Sequence, residues 1–343
     1  MVREDEVPGV DLDRLTTWFD RTLPGLRTGR LSARLITGGR SNLTYRLQDD
    51  SSAWALRRPP LGHVLPTAHD MAREYRVISG LRRSPVPVPG PVGLCEDDEV
   101  LGCPFYVMDF VDGVVLDRPA AVSDAAQARG VSELLVDTLV TLHRVEPEPI
   151  GLGDLGRPEG FRQRQVHRWH RQFVASAESD DAPLIAWEQE VVRRLLRDVP
   201  ADGPTGVVHG DYRLTNLMLA PDLGSVAAVV DWEMATLGDP LTDVGLLYAY
   251  HDLAARAPGI MADFGPELGY LGPQELLDRY CAATGTRTDH LHWYLAFAYF
   301  KIAAIAAGIH ARHRQALTVG EGFELFGPLV RLTLDAAAER LPA

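Results

Sequence analysis

The residues best suited to do chemistry in this chain are His209, Asp211 and Asn216, followed by Asp231 after an apolar stretch. Phosphoryl transfer requires a carboxylate that accepts a hydroxyl proton and oxygen ligands that hold Mg²⁺ against a triphosphate. Asp211 can serve as the base, and Asn216 and Asp231 can serve as the metal ligands. The run therefore indicates kinase chemistry, with ATP and Mg²⁺ as cofactors.

The spacing of these residues strengthens that interpretation. In the kinase pattern H-R-D-L-x-x-x-N the base and the metal-binding amide lie five positions apart, as Asp211 and Asn216 do. An isolated His-Gly-Asp is more often an ordinary turn, but a following apolar strand that ends in Asp231 matches the D-F-G aspartate. We predict a catalytic loop over 207–219, with His209 and Arg213 as further candidate catalytic residues, and a metal-binding segment over 229–243.

Composition limits the class of protein. A chain of 343 residues is long enough for two lobes, and a net charge of −13 argues against nucleic acid or an anionic membrane as a partner. Three scattered cysteines suit a reducing compartment, and the acidic start has no apolar signal region, so we expect a cytoplasmic protein. The run 294–309 is apolar but contains Lys301, which favours a buried helix over a membrane span. The sequence shows no coiled-coil repeat and does not predict an oligomeric state.

A small antiparallel sheet is predicted after a lead-in helix at 11–23. Strand patterns occur at 31–37, 43–47 and 54–57, and a glycine loop separates the first two. The backbone N–H groups of such a loop can approach phosphate oxygens because glycine has no Cβ. An ordinary hairpin turn is the alternative for this loop. The residues that we expect to cover the phosphates are Gly38, Gly39, Ser41 and Asn42.

The third strand and the next helix predict an ion pair. Alternation places Ala55 and Arg57 on one face, as in the V-A-I-K strand where alanine lines the adenine site and lysine meets the phosphates. In a helix over 67–83, Glu74 falls on the apolar face, where a carboxylate needs a cation. Arg57 is the expected partner, with a solvated Glu74 as the alternative.

A hinge is predicted where the sheet ends. Strand patterns at 92–95 and 104–110 follow a proline-rich connector over 85–91. Kinase hinges bind adenine through main-chain groups, so we expect the carbonyl of Asp109 and the N–H of Val111 to do this, with Met108 behind them. Helical patterns follow from residue 133 onward.

One helical segment, 161–173, is strongly basic. The plain interpretation is a solvated helix face. The sharper hypothesis is an anion-recognition surface beside the active site, since arginine suits carboxylate and phosphate. The arginines concerned are Arg162, Arg164, Arg168 and Arg171, and we take Arg164 and Arg168, with Glu233 and Asp239, as candidate substrate contacts.

Taken together, these motifs resemble the aminoglycoside phosphotransferase family over about residues 30–310. The resemblance is carried by the segments 209–216, 231–233 and 238–240 and by Asp243. It implies an α+β, two-lobed protein-kinase-like fold, with a helical lead-in (1–30), a small antiparallel-sheet N-lobe (31–110) and a mainly helical C-lobe (111–343). It also implies Asp211 as base, Asn216 and Asp231 as Mg²⁺ ligands, and Arg57 with Glu74 as the phosphate-positioning pair.

Within that family the segments 56–62 and 161–173 look most similar to kinase domains associated with acyl-CoA dehydrogenases. This similarity implies an ATP-dependent phosphotransferase that acts on a hydroxyl of a small molecule, with an anionic hydroxy acid or hydroxyacyl thioester as the favoured substrate. An aminoglycoside or other antibiotic kinase is one alternative. A non-catalytic nucleotide-binding module is another, because Arg57 replaces the usual lysine. A protein kinase is disfavoured, since only seven positions separate Asp231 from Gly238 and no activation loop fits.

Overall fold

The computed structural model describes residues 7–36, 42–61, 70–116, 122–177, 181–201, 203–257, 264–315 and 322–342. The helices within these ranges are α1 (Leu12–Thr22), α2 (Met71–Leu81), α3 (Asp98–Leu101), α4 (Ala125–His143), α5 (Phe161–Ser176), α6 (Ala182–Arg197), α7 (Leu241–Arg256), α8 (Pro273–Thr284), α9 (Leu291–Arg314) and α10 (Phe326–Glu339). The strands are β1 (Ser32–Ile36), β2 (Leu43–Gln48), β3 (Ala53–Arg58), β4 (Pro91–Cys95), β5 (Phe105–Asp109), β6 (Val114–Val115), β7 (Gly206–Val208), β8 (Leu217–Leu219), β9 (Val226–Val229) and β10 (Thr236–Gly238).

The chain divides into two compact units. The first unit comprises Met1–Val114, Pro149–Leu152 and Leu217–Ala235. The second comprises Val115–Glu148, Gly153–Asn216 and Thr236–Ala343. The catalytic loop thus lies in the second unit up to Asn216, whereas the segment that carries Asp231 belongs to the first.

The first unit is built on a five-stranded antiparallel sheet with the order β1-β2-β3-β5-β4. Helix α1 packs Leu15, Trp18 and Phe19 into the sheet's core, and its N-cap, Asp11, accepts hydrogen bonds from the first-turn N–H groups. Burial of these large apolar side chains favours the association of helix and sheet. The predicted strands and lead-in helix are confirmed within a residue or two at their ends.

Helix α2 begins after the N-cap Asp70, which accepts a hydrogen bond from the N–H of Arg73. The periodicity had predicted a helix over 67–83, and residues 67–69 lie outside the described part of the chain. Its buried face includes Met71, Val77 and Ile78, together with Glu74. A carboxylate is therefore carried on the apolar stripe, as expected.

The second unit is mainly helical. Its short strands β7 and β10 pair antiparallel, with Val208 opposite Thr236, and present the start of the catalytic loop. Helix α9 is the longest, and its aromatic and small residues are buried on nearly all sides. It begins and ends beyond the predicted 294–309, because the polar residues at its ends continue the helix past the apolar run.

By length and composition α9 is the one helix in the described ranges that could cross a membrane, yet 78% of its most apolar window is buried inside the protein. Core helices of globular proteins pass the same test, so this is weak evidence for a span. The three cysteines, Cys95, Cys103 and Cys281, are free thiols.

Candidate active site

A single buried carboxylate holds the backbone of the catalytic loop. Asp243, in the first turn of α7, accepts hydrogen bonds from the N–H groups of His209 at 2.7 Å and Gly210 at 2.8 Å. Gly210 has a φ of +86°, a left-handed conformation that costs glycine little because it has no Cβ. The turn that presents Asp211 therefore explains the glycine between His209 and Asp211.

Asp243 keeps its charge in this buried position. Burial by itself raises its pKa, but the hydrogen bond and charge of His143, the charge of His209 and the N–H of Gly210 lower it, and the net pKa lies below the ordinary value. His143 Nε2 lies 3.3 Å from Asp243 Oδ2, and its Nδ1 lies 2.9 Å from the hydroxyl of Tyr280. The N–H groups of the loop therefore donate to a carboxylate that stays charged, which strengthens these hydrogen bonds.

The carboxylate of Asp211 is oriented by two neutral donors. The hydroxyl of Tyr250 donates to Oδ1 at 2.6 Å, and Nδ2 of Asn216 donates to Oδ2 at 3.2 Å and to the Asp211 carbonyl at 2.8 Å. Burial, and then the charge of Asp211, raise the pKa of Tyr250 well above its ordinary value. Tyr250 therefore keeps its proton and donates it in the hydrogen bond to the carboxylate.

The residues that flank the base also contact this group. Arg213 donates from Nε to Oγ1 of Thr215 at 2.6 Å, and its guanidinium lies 5.1 Å from the ring centroid of Tyr250. His209 is fully buried, and its Nδ1 accepts the N–H of Asp211 at 3.2 Å. His209 thus acts on the backbone of the loop, whereas Arg213 lies beside the tyrosine that binds Asp211.

The first unit contains the predicted ion pair. Arg57 on β3 donates from Nε to Glu74 at 3.0 Å and from Nη2 to Oδ1 of Asp231. Burial alone lowers the pKa of Arg57, but the neighbouring carboxylates, Glu74 first among them, raise it above its ordinary value. Glu74 is 1% exposed, and burial raises its pKa despite the guanidinium. Arg57 therefore joins the carboxylate of α2 to the carboxylate of Asp231.

The backbone at Asp231 is strained. Its φ of +68° is uncommon for a residue other than glycine, and such strain clusters at functional sites. The following turn is fixed because the N–H of Trp232 donates to Glu74 at 3.2 Å and its indole N–H donates to the carbonyl of Val229 at 2.9 Å. The side chain of Asp231, which this backbone carries, is one-quarter exposed.

Glu233 lies against a residue from the end of the glycine loop. Nδ2 of Asn42, which is 1% exposed, donates to Oε2 of Glu233 at 2.9 Å. The sequence predicts a cofactor contact for Asn42 and a substrate contact for Glu233, and the structure places the two side chains in one hydrogen bond. Gly38, Gly39 and Ser41 lie outside the described residues.

Two of the residues predicted to line the adenine site lie on adjacent strands. Ala55 on β3 is the cross-strand partner of Met108 on β5, and both are buried. Asp109 ends β5 with an exposed side chain, and its N–H donates to the carbonyl of Gly90 at 2.8 Å. Val111 follows in an irregular segment and is half-buried.

The donors that could hold a metal are few. Within the described ranges no group of three or more His, Cys, Asp or Glu side chains forms a ready-made metal site. Mg²⁺ is commonly held by one or two carboxylates together with substrate phosphates, so a sparse set of hard oxygen donors suits it. In the first unit Asp231 has a carboxylate that is one-quarter exposed. In the second unit Asn216 donates through Nδ2 to Asp211, so its amide nitrogen is oriented toward that residue.

The structure corrects the expectation that all four arginines of the basic segment 161–173 lie on its surface. Arg162 was predicted to lie on an anion-recognition surface, but it is 4% exposed and forms a buried ion pair with Asp239. Tyr294 also donates to Asp239, at 2.6 Å, and accepts from Arg162, at 2.9 Å. Asp239 is therefore occupied in holding α5 to α9 instead of being presented to a substrate.

The other arginines of α5 are exposed. Both terminal nitrogens of Arg164 donate to backbone carbonyls just before the helix, at Arg157 and Glu159. Arg168 lies 5.5 Å from the ring centroid of Trp169, and Arg171 is exposed. Arg164, Arg168 and Arg171 are all exposed, so the hypothesis of an anion-recognition surface stays a prediction for these three arginines.

Two residues near the catalytic loop were missed by sequence reasoning. Tyr250 gave no signal, because the aromatic side chain at this place in α7 looks like any core residue. Lys301 stands in the sequence only as a charge inside an apolar helix, and that unusual charge is the signal. Its ammonium group donates to the carbonyl of Gly210.

The antiparallel sheet, the helical second unit and the loop geometry define a two-lobed protein-kinase-like fold of the phosphotransferase class. The chain belongs to the phosphotransferase enzyme family (APH), whose model matches residues 32–297. The family is one of phosphotransferase enzymes.

Known proteins support this family and fold. The chain is 34% identical over 340 residues to acyl-CoA dehydrogenase family member 11 of Gallus gallus, covering 96% of this chain and 43% of that protein. It therefore spans less than half the length of this curated relative. A crystal structure from Ralstonia eutropha, provisionally described as an aminoglycoside phosphotransferase, has a TM-score of 0.80 at 32% identity and covers 96% of this chain and 98% of its own.

A more distant structure has the same fold. The aminoglycoside phosphotransferase APH(4)-Ia, in a ternary complex with AMP-PNP and hygromycin B, has a TM-score of 0.62 at 13% identity, covering 94% of this chain and 98% of its own. The predicted two-lobed, kinase-like α+β fold and the family resemblance are thus confirmed.

Proposed function

We propose that this chain transfers the γ-phosphoryl group of ATP to a hydroxyl group of a small molecule. The observation that carries the proposal is the Asp211 carboxylate, oriented by Tyr250 and Asn216 on a loop held by Asp243. A fixed base on a rigid loop is what in-line attack by a hydroxyl requires. The AMP-PNP complex of APH(4)-Ia supports ATP as the donor.

In this mechanism each residue has one task. Asp211 accepts the proton of the attacking hydroxyl, and the donors on its two oxygens keep the carboxylate aligned. Arg57, oriented by Glu74, stabilises negative charge on the phosphates. The ligands that we assign to Mg²⁺ are the amide oxygen of Asn216 and the carboxylate of Asp231. When bound, Mg²⁺ neutralises charge on the transferring phosphoryl group.

The nucleotide contacts that complete the assignment are the glycine loop, Gly38, Gly39 and Ser41 with Asn42, over the phosphates, and Ala55, Met108, Asp109 and Val111 around the base. We also propose the lobe boundaries 1–30, 31–110 and 111–343, and a cytoplasmic location without nucleic-acid partners. The net charge of −13 supports the proposal that nucleic acid is not a partner.

The acceptor is proposed to be an anionic hydroxylated compound, such as a hydroxy acid or a hydroxyacyl thioester. The exposed Arg168 and Arg171 on α5 support this, as does the similarity to a region of an acyl-CoA dehydrogenase family protein. The burial of Arg162 with Asp239 weakens the support. An aminoglycoside is the second candidate, favoured by the description of the Ralstonia eutropha structure.

A screen for acceptor-dependent ADP formation tests the proposal. The panel includes hydroxy acids, hydroxyacyl-CoA thioesters, aminoglycosides and macrolides, each with ATP and Mg²⁺. We expect one class to stimulate ADP formation by the wild type and by an Asp50→Asn control, which alters an exposed carboxylate between β2 and β3. Asp211→Asn should abolish the stimulation.

A nucleotide-binding module without turnover is the competing function. The contact between Arg57 and Asp231 favours it, because the guanidinium occupies an oxygen of the proposed metal ligand. Thermal-shift measurements with ATP and Mg²⁺ separate the two. Stabilisation by nucleotide without ADP formation on any acceptor would support the module.

A further inference from the structure

Lys301 is the single lysine among the 34 Lys and Arg residues of the chain. It lies in α9, a helix whose surroundings are apolar, and is only 7% exposed. A buried ammonium group is costly unless it is paired with acceptors or opposite charges. A lysine in such a place, in a chain that otherwise uses arginine, calls for a local explanation.

The surroundings of Lys301 supply one. Its Nζ donates to the carbonyl of Gly210, and it lies 5.1 Å from the ring centroid of Trp169 on α5. The ring face of tryptophan attracts a cation. The charges that face Lys301 are Asp211 on the loop and Asp243 on α7, which favour the cation, and Arg168 on α5, which opposes it.

The contact with Gly210 complements the one made by Asp243. Asp243 accepts the N–H groups of His209 and Gly210, whereas Lys301 donates to the Gly210 carbonyl, which belongs to the peptide that leads into Asp211. Two helices therefore hold this turn, one through its donors and one through its acceptor. Because Gly210 is conformationally permissive, the turn needs such restraints to stay fixed.

The chemistry of the site also explains why the cation is a lysine. An ammonium group is compact and has three donors on a flexible stem. A guanidinium is planar and brings five N–H donors, which would need more acceptors than a carbonyl and an indole face provide. The site thus suits one charged amine directed at one carbonyl.

We propose that Lys301 is a positioning residue of the active site, which fixes the Gly210 peptide and thereby the direction of the Asp211 carboxylate. Lys301 contacts the loop backbone and acts on the reaction through Asp211. The inference rests on the proposed function for its effect on turnover, but its effect on the loop can be measured without a substrate.

The test compares Lys301→Met with the wild type and with Arg312→Met, which removes an exposed cation from the same helix. In the Lys301→Met protein we expect kcat to fall at least 10-fold, with the KM for ATP within about twofold and the melting temperature unchanged or raised, since a buried charge is removed. A merely structural lysine would lower stability and leave kcat per folded molecule unaltered. That second pattern would overturn the proposal.

Hydrogen exchange gives the readout that needs no acceptor. Amides within 207–216 should exchange at least 10-fold faster in Lys301→Met, whereas amides of β2 and β3 in the first unit should be unchanged. Equal protection of the loop in the two proteins contradicts the proposal. If the wild type shows no phosphoryl transfer, the proposed function fails while the exchange result still decides the role of Lys301.

Should Lys301→Met fail to fold, the wild type itself decides. Lysine-selective ¹³C labelling gives one side-chain signal, because there is one lysine. Burial lowers the pKa of Lys301 to about 8, and the charge of Asp211 opposes this decrease. The signal should titrate near this value and at lower pH in Asp211→Asn. Titration near the ordinary value for lysine, unaffected by Asp211→Asn, would show that the amine is not at the loop.

Discussion

The hydroxyl of Tyr250 donates a hydrogen bond to Oδ1 of Asp211 at 2.6 Å, which links α7 directly to the carboxylate that we assign as the base. Asn216 binds the other oxygen. The position of the Asp211 carboxylate therefore depends in part on a side chain 39 residues away in sequence. Short hydrogen bonds to a charged group are among the stronger ones in proteins.

Tyr250→Phe is expected to lower kcat by about 10- to 100-fold, the effect of losing roughly 1.5–3 kcal/mol of hydrogen bonding to a charged group. The KM for ATP should change little, because the nucleotide contacts are untouched. Steady-state turnover on the acceptor found by screening gives both values. Tyr248→Phe is the matched control, since a residue two positions earlier faces another side of the helix. Equal losses in the two variants would argue against the assigned role of Tyr250.

Arg57→Met is expected to destabilise the protein by about 3–5 kcal/mol, because it leaves the buried Glu74 without its cation. Urea unfolding at pH 7 measures this, with the exposed Arg34→Met on β1 as control. Arg57→Lys, which keeps the charge, should lose much less stability.

The same variant has a defined pH dependence. Burial raises the pKa of Glu74 above its unfolded value, so folding favours the protonated acid and the buried anion costs stability above that unfolded value. The destabilisation by Arg57→Met should therefore shrink as the pH is lowered from 8 to 5. If the loss of unfolding free energy in Arg57→Met did not depend on pH, Glu74 would not be the group left unpaired.

Arg162→Met is expected to cost about 3–5 kcal/mol of unfolding free energy, because the buried carboxylate of Asp239 would lose the cation that neutralises it. Arg171→Met, on the same helix but exposed, should change stability by less than about 0.5 kcal/mol. Denaturant unfolding of the two variants separates a structural arginine from a surface one. Similar, small effects for both would restore Arg162 to the surface hypothesis.

Lys301 should make the free energy of unfolding depend on pH in the alkaline range. Its pKa is lowered by burial to about 8, below the unfolded value, so between these values the unfolded chain binds more protons and stability rises with pH. Relative to Lys301→Met, the wild type should gain up to about 3 kcal/mol from pH 8 to pH 10.5. Turnover should fall over the same interval as the ammonium group is lost. Parallel stability curves for the two proteins would contradict this.

The sequence predicted those features that local periodicity carries. Helices α1 and α2 and the strands β1 to β5 follow from apolar spacing over a few residues. The Arg57–Glu74 pair was also predictable, because a carboxylate on an apolar helix face demands a cation and β3 offered one. The kinase pattern gave the loop of Asp211 and Asn216 for the same reason, since the spacing within the motif is short.

The features that were missed depend on contacts between distant segments. Arg162 looked like its neighbours in a basic run, and only the fold brings Asp239, 77 residues later, against it. Lys301 lies 91 residues from Gly210, and its role depends on how α9 packs. Helical periodicity indicates that a residue is buried but does not identify its partner.

The central claim is that Asp211 catalyses transfer of a phosphoryl group from ATP to an acceptor hydroxyl. ³¹P NMR of the wild type with ATP, Mg²⁺ and the acceptor follows that transfer directly. We predict that the γ-phosphate signal falls while a phosphate monoester signal rises in equal amount, and that Asp211→Asn gives no monoester on the same time scale. A monoester formed by Asp211→Asn at the wild-type rate would contradict the account.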